Sequence, residues 1–311
     1  MQSGVLKIKR KVVLHGPSTL TISLPTKWIK KHGVKKGDEL EVEEFDKILK
    51  VSTDREYSPV RSIKVDLNNL SEDAIKSILA VLHKSGYDEI EVDFKDANTL
   101  KIIQERISSM LIGYEIIEQG NKRCIIKSIS SNEEQEFNNV LRRTFLVSLS
   151  LANNSLDVIK SGKFDKLDEV LILEQTNNRL TNFCHRILNK KISMNEKTIY
   201  YYTIIWILES ICDDYKHIIN FIKTNNKMKT SSKLVDLYKR TNSLFDSYYN
   251  LFYKYTNEGM DRLRMEHKSL SQELVNAINA KDEKGAALFI YLYNITQRIY
   301  DAIGSTTGLY Y

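Results

Sequence analysis

The chain has 311 residues, of which 42% are hydrophobic and 28% are charged, and its formal net charge is +6. This length is enough for two or three domains and this apolar content is enough for hydrophobic cores, which excludes a globally disordered chain. The longest apolar run, residues 200–208, is too short to span a bilayer, and the first residues lack the apolar segment of a secretory signal. We therefore expect a cytoplasmic multidomain protein, not an integral membrane protein.

Residues 1–56 are predicted to form a small first domain with a separation of charge. The first 37 residues contain nine Lys and Arg residues and no Asp or Glu, whereas residues 38–46 contain six acidic residues. Pro25 suits the first position of a helix and Gly33 suits the left-handed residue that ends it. The predicted elements, in the order ββαββ, are strands over residues 5–13 and 20–24, a helix over 27–32, and strands over 40–45 and 48–51.

A domain of this size has too few large apolar residues to bury a sufficient core alone, so we expect a homodimer. The segments SLPTKW and GVKKGDELEVE are similar to the swapped-hairpin β-barrels of the AbrB, MazE and SpoVT group. The resemblance implies that two chains interleave their hairpins and that basic residues of the first strand and the adjoining loop contact double-stranded DNA. It points to Lys7, Lys9, Arg10 and Lys11, and in second line to Lys27, Lys30 and Lys31.

The chemistry of these residues supports the same interpretation. Cations without nearby acids attract phosphates and release condensed counterions. Ser18 and Thr19 can donate hydrogen bonds to phosphate oxygens, and Arg10 is the best candidate for a bidentate contact with a base. Two alternatives stay open, since the lysines could simply form a solvated face or could bind an anionic membrane surface.

Residues 57–130 are predicted to form a small α/β module. Ser71 is the expected cap of its first helix, which Gly86 ends. The predicted elements are a strand over residues 63–67, a helix through 82, a strand over 90–94, a helix over 100–111, and strands over 114–117 and 123–126. We find neither a glycine-rich phosphate loop nor a nucleophile elbow, and expect the module to couple a sensor to the DNA-binding domain.

Residues 131–311 are predicted to form an all-α bundle, because glycine is rare, proline is absent and helical periodicity runs nearly to the end. The segments LESICDDY (208–215) and TQRIYDAI (296–303) align, which indicates two repeated groups of three helices. The predicted helices lie near residues 133–160, 165–190, 196–225, 231–257, 258–280 and 283–303.

The repeat resembles the PhoU family, in which carboxylates four residues apart on these helices hold iron or zinc. The resemblance implies a possible divalent or ferric metal at Glu174, Glu209, Asp213 and Asp301. The pattern is eroded here, because Asn178, Leu270 and Gln297 stand where a carboxylate is expected, and Asp213 and Asp301 lie opposite the apolar stripe. Plain solvation of these acids is therefore the alternative. His217 and His267 are expected to be solvated or to cap helices.

Two further groups of residues have ordinary interpretations. The three cysteines, Cys124, Cys184 and Cys212, form no CxxC pair, so we expect buried, inert thiols instead of a zinc ribbon or a disulfide framework. Core packing is the preferred interpretation of an aromatic group that could otherwise form a partner surface. Its members are Tyr248, Tyr249, Phe252, Tyr253, Tyr255, Tyr291, Tyr293, Tyr300 and Tyr310.

The chain as a whole resembles archaeal phosphate-uptake regulators, in which an AbrB/SpoVT-type domain precedes a PhoU-like bundle. The resemblance implies a homodimeric, DNA-binding transcriptional regulator of phosphate uptake or phosphate homeostasis. The main alternative is an interaction protein that docks on a phosphate transporter ATPase or a signalling kinase without binding DNA. An enzyme is not expected, since poorly matched acids without an accompanying base do not form a catalytic site.

Overall fold

The computed structural model describes residues 8–45, 47–53, 60–130, 133–190, 196–225, 231–280 and 286–311. It divides the chain into two compact units, Met1–Pro59 and Val60–Tyr311, which we call the head and the body. The head is small and rich in strands, whereas the body is mostly helical. No helix within these described ranges is long and apolar enough to cross a membrane.

The head has the predicted order ββαββ. Strands β1 and β2 pair antiparallel, with Val13 opposite Thr21, and strands β3 and β4 pair antiparallel, with Leu40 opposite Thr53. These are two separate two-stranded sheets. The elements are β1 (Val13–His15), β2 (Thr19–Thr21), α1 (Thr26–His32), β3 (Leu40–Phe45) and β4 (Ile48–Thr53).

Three local predictions for the head are wrong. The second strand was predicted over residues 20–24, but β2 ends at Thr21 and residues 22–24 lie outside it. Residues 8–12 are not part of a strand, because in the described single chain no neighbouring strand pairs with them; residues 5–7 lie outside the described residues. Pro25 is the residue before α1 and not its first residue, with an extended backbone (φ −65°, ψ 124°). The predicted helix end is confirmed, since Gly33 has a left-handed backbone (φ 64°) that glycine adopts without strain.

The body begins with an α/β module whose four-stranded sheet has the order β5-β6-β8-β7. Strands β5 and β6 are parallel and the other neighbours are antiparallel. The predicted cap of α2 is confirmed, since the Ser71 side chain accepts a hydrogen bond from the Ala74 N–H at 3.3 Å. The elements are β5 (Ser62–Asp66), α2 (Glu72–Lys84), β6 (Glu89–Asp93), α3 (Ala97–Met110), β7 (Tyr114–Gln119) and β8 (Arg123–Ser128).

Within the described ranges from residue 133 to residue 311, six long helices follow the module. Helices α4, α5 and α6 pack against one another, as do α7, α8 and α9, and the two groups meet along α6 and α9 and along α4 and α7. A repeat of the PhoU type remains a prediction. The helices are α4 (Phe137–Ser161), α5 (Leu167–Lys190), α6 (Glu196–Thr224), α7 (Ser232–Tyr253), α8 (Asn257–Asn279) and α9 (Ala286–Tyr310).

Helix α9 continues beyond the predicted end at residue 303. Its inward stripe persists through Thr306 and Leu309, and the Thr306 hydroxyl lies 2.9 Å from the Tyr248 hydroxyl in the core. Gly308 lies against the Tyr200 ring, where a Cβ would come within 2.4 Å of a ring carbon. Tertiary packing therefore outweighs the low helix propensity of glycine at this end.

The bundle has a large apolar core that is distinct from the core of the module. In the aromatic group, Tyr248 and Phe252 are buried and pack around the buried ring of Phe145, which confirms core packing for them. Tyr300 and Tyr310 remain 40% and 49% exposed, so core packing does not account for them fully. All three cysteines are buried and unpaired, as predicted.

Candidate nucleic-acid interface

Three adjacent cations, Lys9, Arg10 and Lys11, precede strand β1 and are exposed to solvent. Within the described residues, no ion pair joins any of the three to an acid. Lys7, the fourth residue predicted on this segment, lies outside the described residues. Lys9–Lys11 therefore present positive charge that the described part of the chain does not neutralise.

The two predicted hydroxyl donors are Ser18, in the turn between β1 and β2, and Thr19, the first residue of β2, and both are exposed. The Thr21 hydroxyl donates to the Val13 carbonyl at 3.2 Å, which fixes the two strands next to this turn. Gly16 takes the left-handed backbone (φ 71°) that the turn requires. The hydroxyls are thus available to phosphate oxygens, which accept such hydrogen bonds.

Helix α1 carries the second-line candidates Lys27, Lys30 and Lys31, all exposed. Lys30 and Lys31 lie in the last turn, where cations stabilise a helix through its macrodipole. The positive charges of Lys30 and Lys31 are therefore explained by helix stability, without a role in DNA binding. Lys27 lies in the first turn, where the macrodipole does not favour a cation, so helix stability does not account for its charge.

The described acidic residues of the head lie outside the first segment and α1. Glu41, Glu43 and Glu44 belong to β3, and Glu43 is opposite Lys50 on β4. The Asp38 carboxylate accepts a hydrogen bond from the Lys35 N–H at 2.8 Å and closes the turn before β3. The charge separation predicted from the sequence is thus a separation between the first segment with α1 and the second hairpin.

No described side chain of the head is buried. Large apolar residues of both hairpins are exposed, including Leu14 (62%), Leu20 (68%), Val42 (59%) and Ile48 (65%). Exposing this much apolar surface is unfavourable for a monomer of this size. The geometry therefore supports a head that buries these residues against a second chain.

The predicted metal ligands do not fit a metal site. Glu174 is 5% exposed, accepts a hydrogen bond from the Asn178 amide at 2.8 Å, and pairs with the Lys216 ammonium at 2.6 Å. The same ammonium lies 2.5 Å from Asp213. Among the residues that the structure describes, no group of three His, Cys, Asp or Glu side chains could hold a metal ion.

The other two predicted ligands have different surroundings. Glu209 accepts a hydrogen bond from the Thr181 hydroxyl at 3.1 Å and lies 3.7 Å from the Lys84 ammonium. Asp301 is exposed on α9, where its charge acts on His267 of α8. As predicted, neither Asp213 nor Asp301 is buried in the core.

The two histidines expected to be solvated or capping differ from each other. His217 is exposed and stacks on Tyr291 at 5.4 Å between ring centroids. His267 is half-buried, and its Nε2 lies 3.0 Å from the Gln297 amide nitrogen, so solvation alone does not describe it. Burial lowers the pKa of His267 despite the opposing effects of Gln297 and Asp301.

Sequence reasoning missed a residue that joins the module to the bundle. Arg186 of α5 is fully buried and donates to the Tyr87 carbonyl at 2.6 Å and to the Tyr114 hydroxyl at 3.0 Å, both in the module. Its position within the apolar run FCHRIL was a usable signal, because a cation placed among buried residues requires buried acceptors.

A comparison with protein families matches residues 15–56 to the family described as antidote-toxin recognition MazE, bacterial antitoxin. The match covers the strands from β2 to β4 together with α1, and the head thus contains a MazE/AbrB-type domain. It does not extend into the body. No curated protein and no solved structure gives a match.

Proposed function

We propose that the protein is a homodimeric, DNA-binding transcriptional regulator that contacts DNA through its head. The observation that carries this proposal is the run Lys9–Lys11, exposed and unpaired among the described residues, directly before a MazE/AbrB-type domain. Domains of this type bind DNA and dimerise. A dimer would bring two such runs together and double the number of phosphate contacts.

We further propose that the body senses a signal of phosphate homeostasis. This part of the proposal rests on the resemblance of the segments LRRTFLVSLSLANNSL and YYYTIIWILESICDDYKHI to the PhoU family. The α/β module couples the bundle to the head in this scheme. It is suited to that role because α2 and α3 pack directly on α5 of the bundle.

Fluorescence anisotropy with labelled genomic fragments tests DNA binding. We expect K9A/R10A/K11A to weaken binding by roughly tenfold or more. The variant removes three cations from each chain of the dimer, so it should lower the slope of log K against log salt by up to about 5, since each phosphate contact contributes about 0.9. The matched control is K160A/K163A/K166A, which removes three exposed cations from the body. Equal binding by the two triple variants would exclude Lys9–Lys11 as the DNA contact.

A second candidate is a regulator that acts by binding a protein. The description of the matched family, antidote-toxin recognition, favours it, as do the exposed apolar residues of the head. The partner in this case is a toxin, a phosphate transporter ATPase or a signalling kinase. It predicts partner capture that tolerates high salt and survives K9A/R10A/K11A, whereas DNA binding predicts steep salt dependence.

A further inference from the structure

The four-stranded sheet of the module has two edges, which differ in how readily they accept another strand. At the β7 edge the ladder is irregular between Ile116 and Glu118, and Glu115 and Glu118 are exposed. Irregularities and charges of this kind keep further strands from joining an edge. Strand β5 pairs with β6 in an unbroken register, and within the described residues no strand covers its other side. We call that side the outer edge of β5.

The main chain of β5 directs hydrogen-bonding groups to this outer edge. On the inner side, the Leu67 N–H donates to the Asp93 carbonyl at 2.9 Å. The Arg61 carbonyl likewise accepts from the Glu89 N–H at 3.2 Å, so the odd-numbered residues of this segment face β6. The alternate residues therefore direct their N–H and C=O groups to the outer edge. They are Ser62, Lys64 and Asp66.

The side chains of β5 suit pairing on both faces of the strand. Ile63 and Val65 pack against the core of the module but are only partly buried. Lys64 and Asp66 lie on the opposite face and are exposed. The Lys64 side chain is 58% exposed, although its ammonium pairs with two acids of β6. The strand thus offers half-buried apolar surface on one face and one charge of each sign on the other.

We propose that the outer edge of β5 pairs antiparallel with β5 of a second copy, which joins the two sheets into one. Placing Val65 on the two-fold axis sets Lys64 of each copy opposite Asp66 of the other. These facing residues exchange N–H···O bonds, and their opposite charges favour the pair. Placing Lys64 on the axis instead would oppose two lysines. Charge selects this register more than it adds strength, because Lys64 already pairs with acids of β6.

Strand β5 has five residues, which is too short to hold two chains together without other contacts. The pairing therefore rests on the homodimer of the proposed function, in which the head tethers the two chains. Tethering raises the effective concentration of one β5 for the other. Since Arg186 joins the module to the bundle, a shared sheet links the two bundles as well.

Cysteine substitution in the full-length protein tests the pairing and its register. V65C places two thiols on the axis, where facing Cα atoms lie about 4.5 Å apart, within the range of a disulfide. We expect mild oxidation to convert most of V65C into a covalent dimer, without a contribution from the three buried cysteines. I63C should yield roughly tenfold less, because its thiols would lie about 13 Å apart along the strands.

The matched control for the other edge of the sheet is I117C, at a residue of β7 that is 46% exposed. We expect it, like I63C, to yield roughly tenfold less covalent dimer than V65C. Equal yields from V65C and either control, or no covalent dimer from V65C, would overturn the proposal.

Two double variants separate the strand pairing from the head dimer. D66K/V65C opposes two lysines, so it should still sediment as a dimer but cross-link roughly tenfold less than V65C. D66N/V65C keeps the oxygen that accepts the Asn68 N–H and should lose less. Cross-linking of D66K/V65C at the level of V65C would refute the strand pairing and leave the head dimer intact. A monomeric wild type would exclude both.

Hydrogen exchange of the wild-type protein covers the case in which the cysteine variants do not fold. The amides of Val65 and Leu67 bond to β6 in any state of the chain, whereas those of Lys64 and Asp66 face the outer edge. Pairing protects all of them, so we expect similarly slow exchange along β5. Exchange at Lys64 and Asp66 that is about tenfold or more faster than at their neighbours would show an unpaired edge and contradict the proposal.

Discussion

Arg186 and Asp88 form an ion pair between the bundle and the α/β module, with the Arg186 Nη2 3.2 Å from the Asp88 carboxylate and Arg186 fully buried. Lys190 adds a second cation at 2.9 Å from the same carboxylate. Asp88 also accepts the backbone N–H of Arg61 at 3.0 Å, next to the first strand of the body. One carboxylate thus binds both the start of the body and the end of α5.

The balance of effects on Asp88 shows that it is held ionised. Burial is the largest effect and would raise the pKa of Asp88, but the hydrogen bonds from Lys190 and Arg61 and the charges of Lys190 and Arg186 together lower it. A carboxylate with this set of donors stabilises the folded state above its ordinary pKa and loses that contribution only in strong acid.

We expect R186A to destabilise the body by about 3 to 5 kcal/mol, because it removes a fully buried cation from its ion pair with Asp88 and from its hydrogen bonds to the Tyr87 carbonyl and the Tyr114 hydroxyl. The measurement is urea denaturation followed by circular dichroism. R179A, which removes an exposed arginine from the same helix, should change the unfolding free energy by no more than about 0.5 kcal/mol. Similar losses of unfolding free energy in R186A and R179A would show that the buried contacts of Arg186 do not stabilise the body.

The fold was predictable where local signals and periodicity agree. Helix α2 has a serine cap, acidic residues in its first turn and a clear apolar stripe, so its range follows from the sequence. The end of α9 was not predictable, because Gly304 and Gly308 disfavour a helix locally and only packing against Tyr200 and Tyr248 maintains it.

The candidate sites also differ in how far they could be predicted from local sequence. The exposure of Lys9–Lys11 could be predicted, because three adjacent cations without nearby acids are rarely buried in any fold. The pair of Lys216 with Asp213 is local, three residues apart on one helix, but its pair with Glu174 depends on how α5 packs against α6. The eroded carboxylate pattern predicted a weak metal site, and only the packing shows a lysine between two of the acids.

Dimerisation of the head can be tested at its exposed apolar residues. We expect L20E to shift the protein from dimer to monomer in sedimentation velocity, because a charge at a residue that is 68% exposed in the single chain is tolerated unless a second chain covers it. The control is I172E, at a residue of α5 that is 59% exposed. A wild-type protein that is monomeric at micromolar concentration would exclude the homodimer.

The three cysteines should be unreactive in the folded protein. Burial raises the pKa of Cys124 to about 11 and of Cys184 and Cys212 to about 12, so the reactive thiolate is scarce at neutral pH. We expect Ellman's reagent to label none of them within minutes at pH 7.5 and all three in denaturant. Fast labelling of one thiol in the native protein would show that its part of the core opens readily.

Two buried histidines should make the body lose stability in mild acid. Burial lowers the pKa of His83 to about 3, and the charges of Arg186, Lys84 and Arg106 also lower it. Burial lowers the pKa of His185 to about 4, and the charge of Lys84 also lowers it. The Nδ1 of His185 is buried and has no hydrogen-bond partner among the described residues, which suits the neutral form. The Tyr202 carbonyl, 3.3 Å from Nε2, has the opposite effect on the pKa but does not outweigh burial. The unfolded chain, in contrast, protonates both near pH 6.5.

Below pH 6.5 the unfolded state therefore binds protons that the folded state does not, and stability falls until the folded-state pKa values are reached. We expect a loss on the order of 2 kcal/mol per histidine between pH 6.5 and 5, measured by urea denaturation. H185Q should remove about half of this pH dependence, whereas H15Q, at an exposed histidine of the head, should leave it unchanged. Asp214, whose pKa is raised by burial, has the opposite effect, but it is common to all three proteins and cancels in the comparison. An identical pH dependence in H185Q and the wild type would mean that His185 accepts a proton in the folded body.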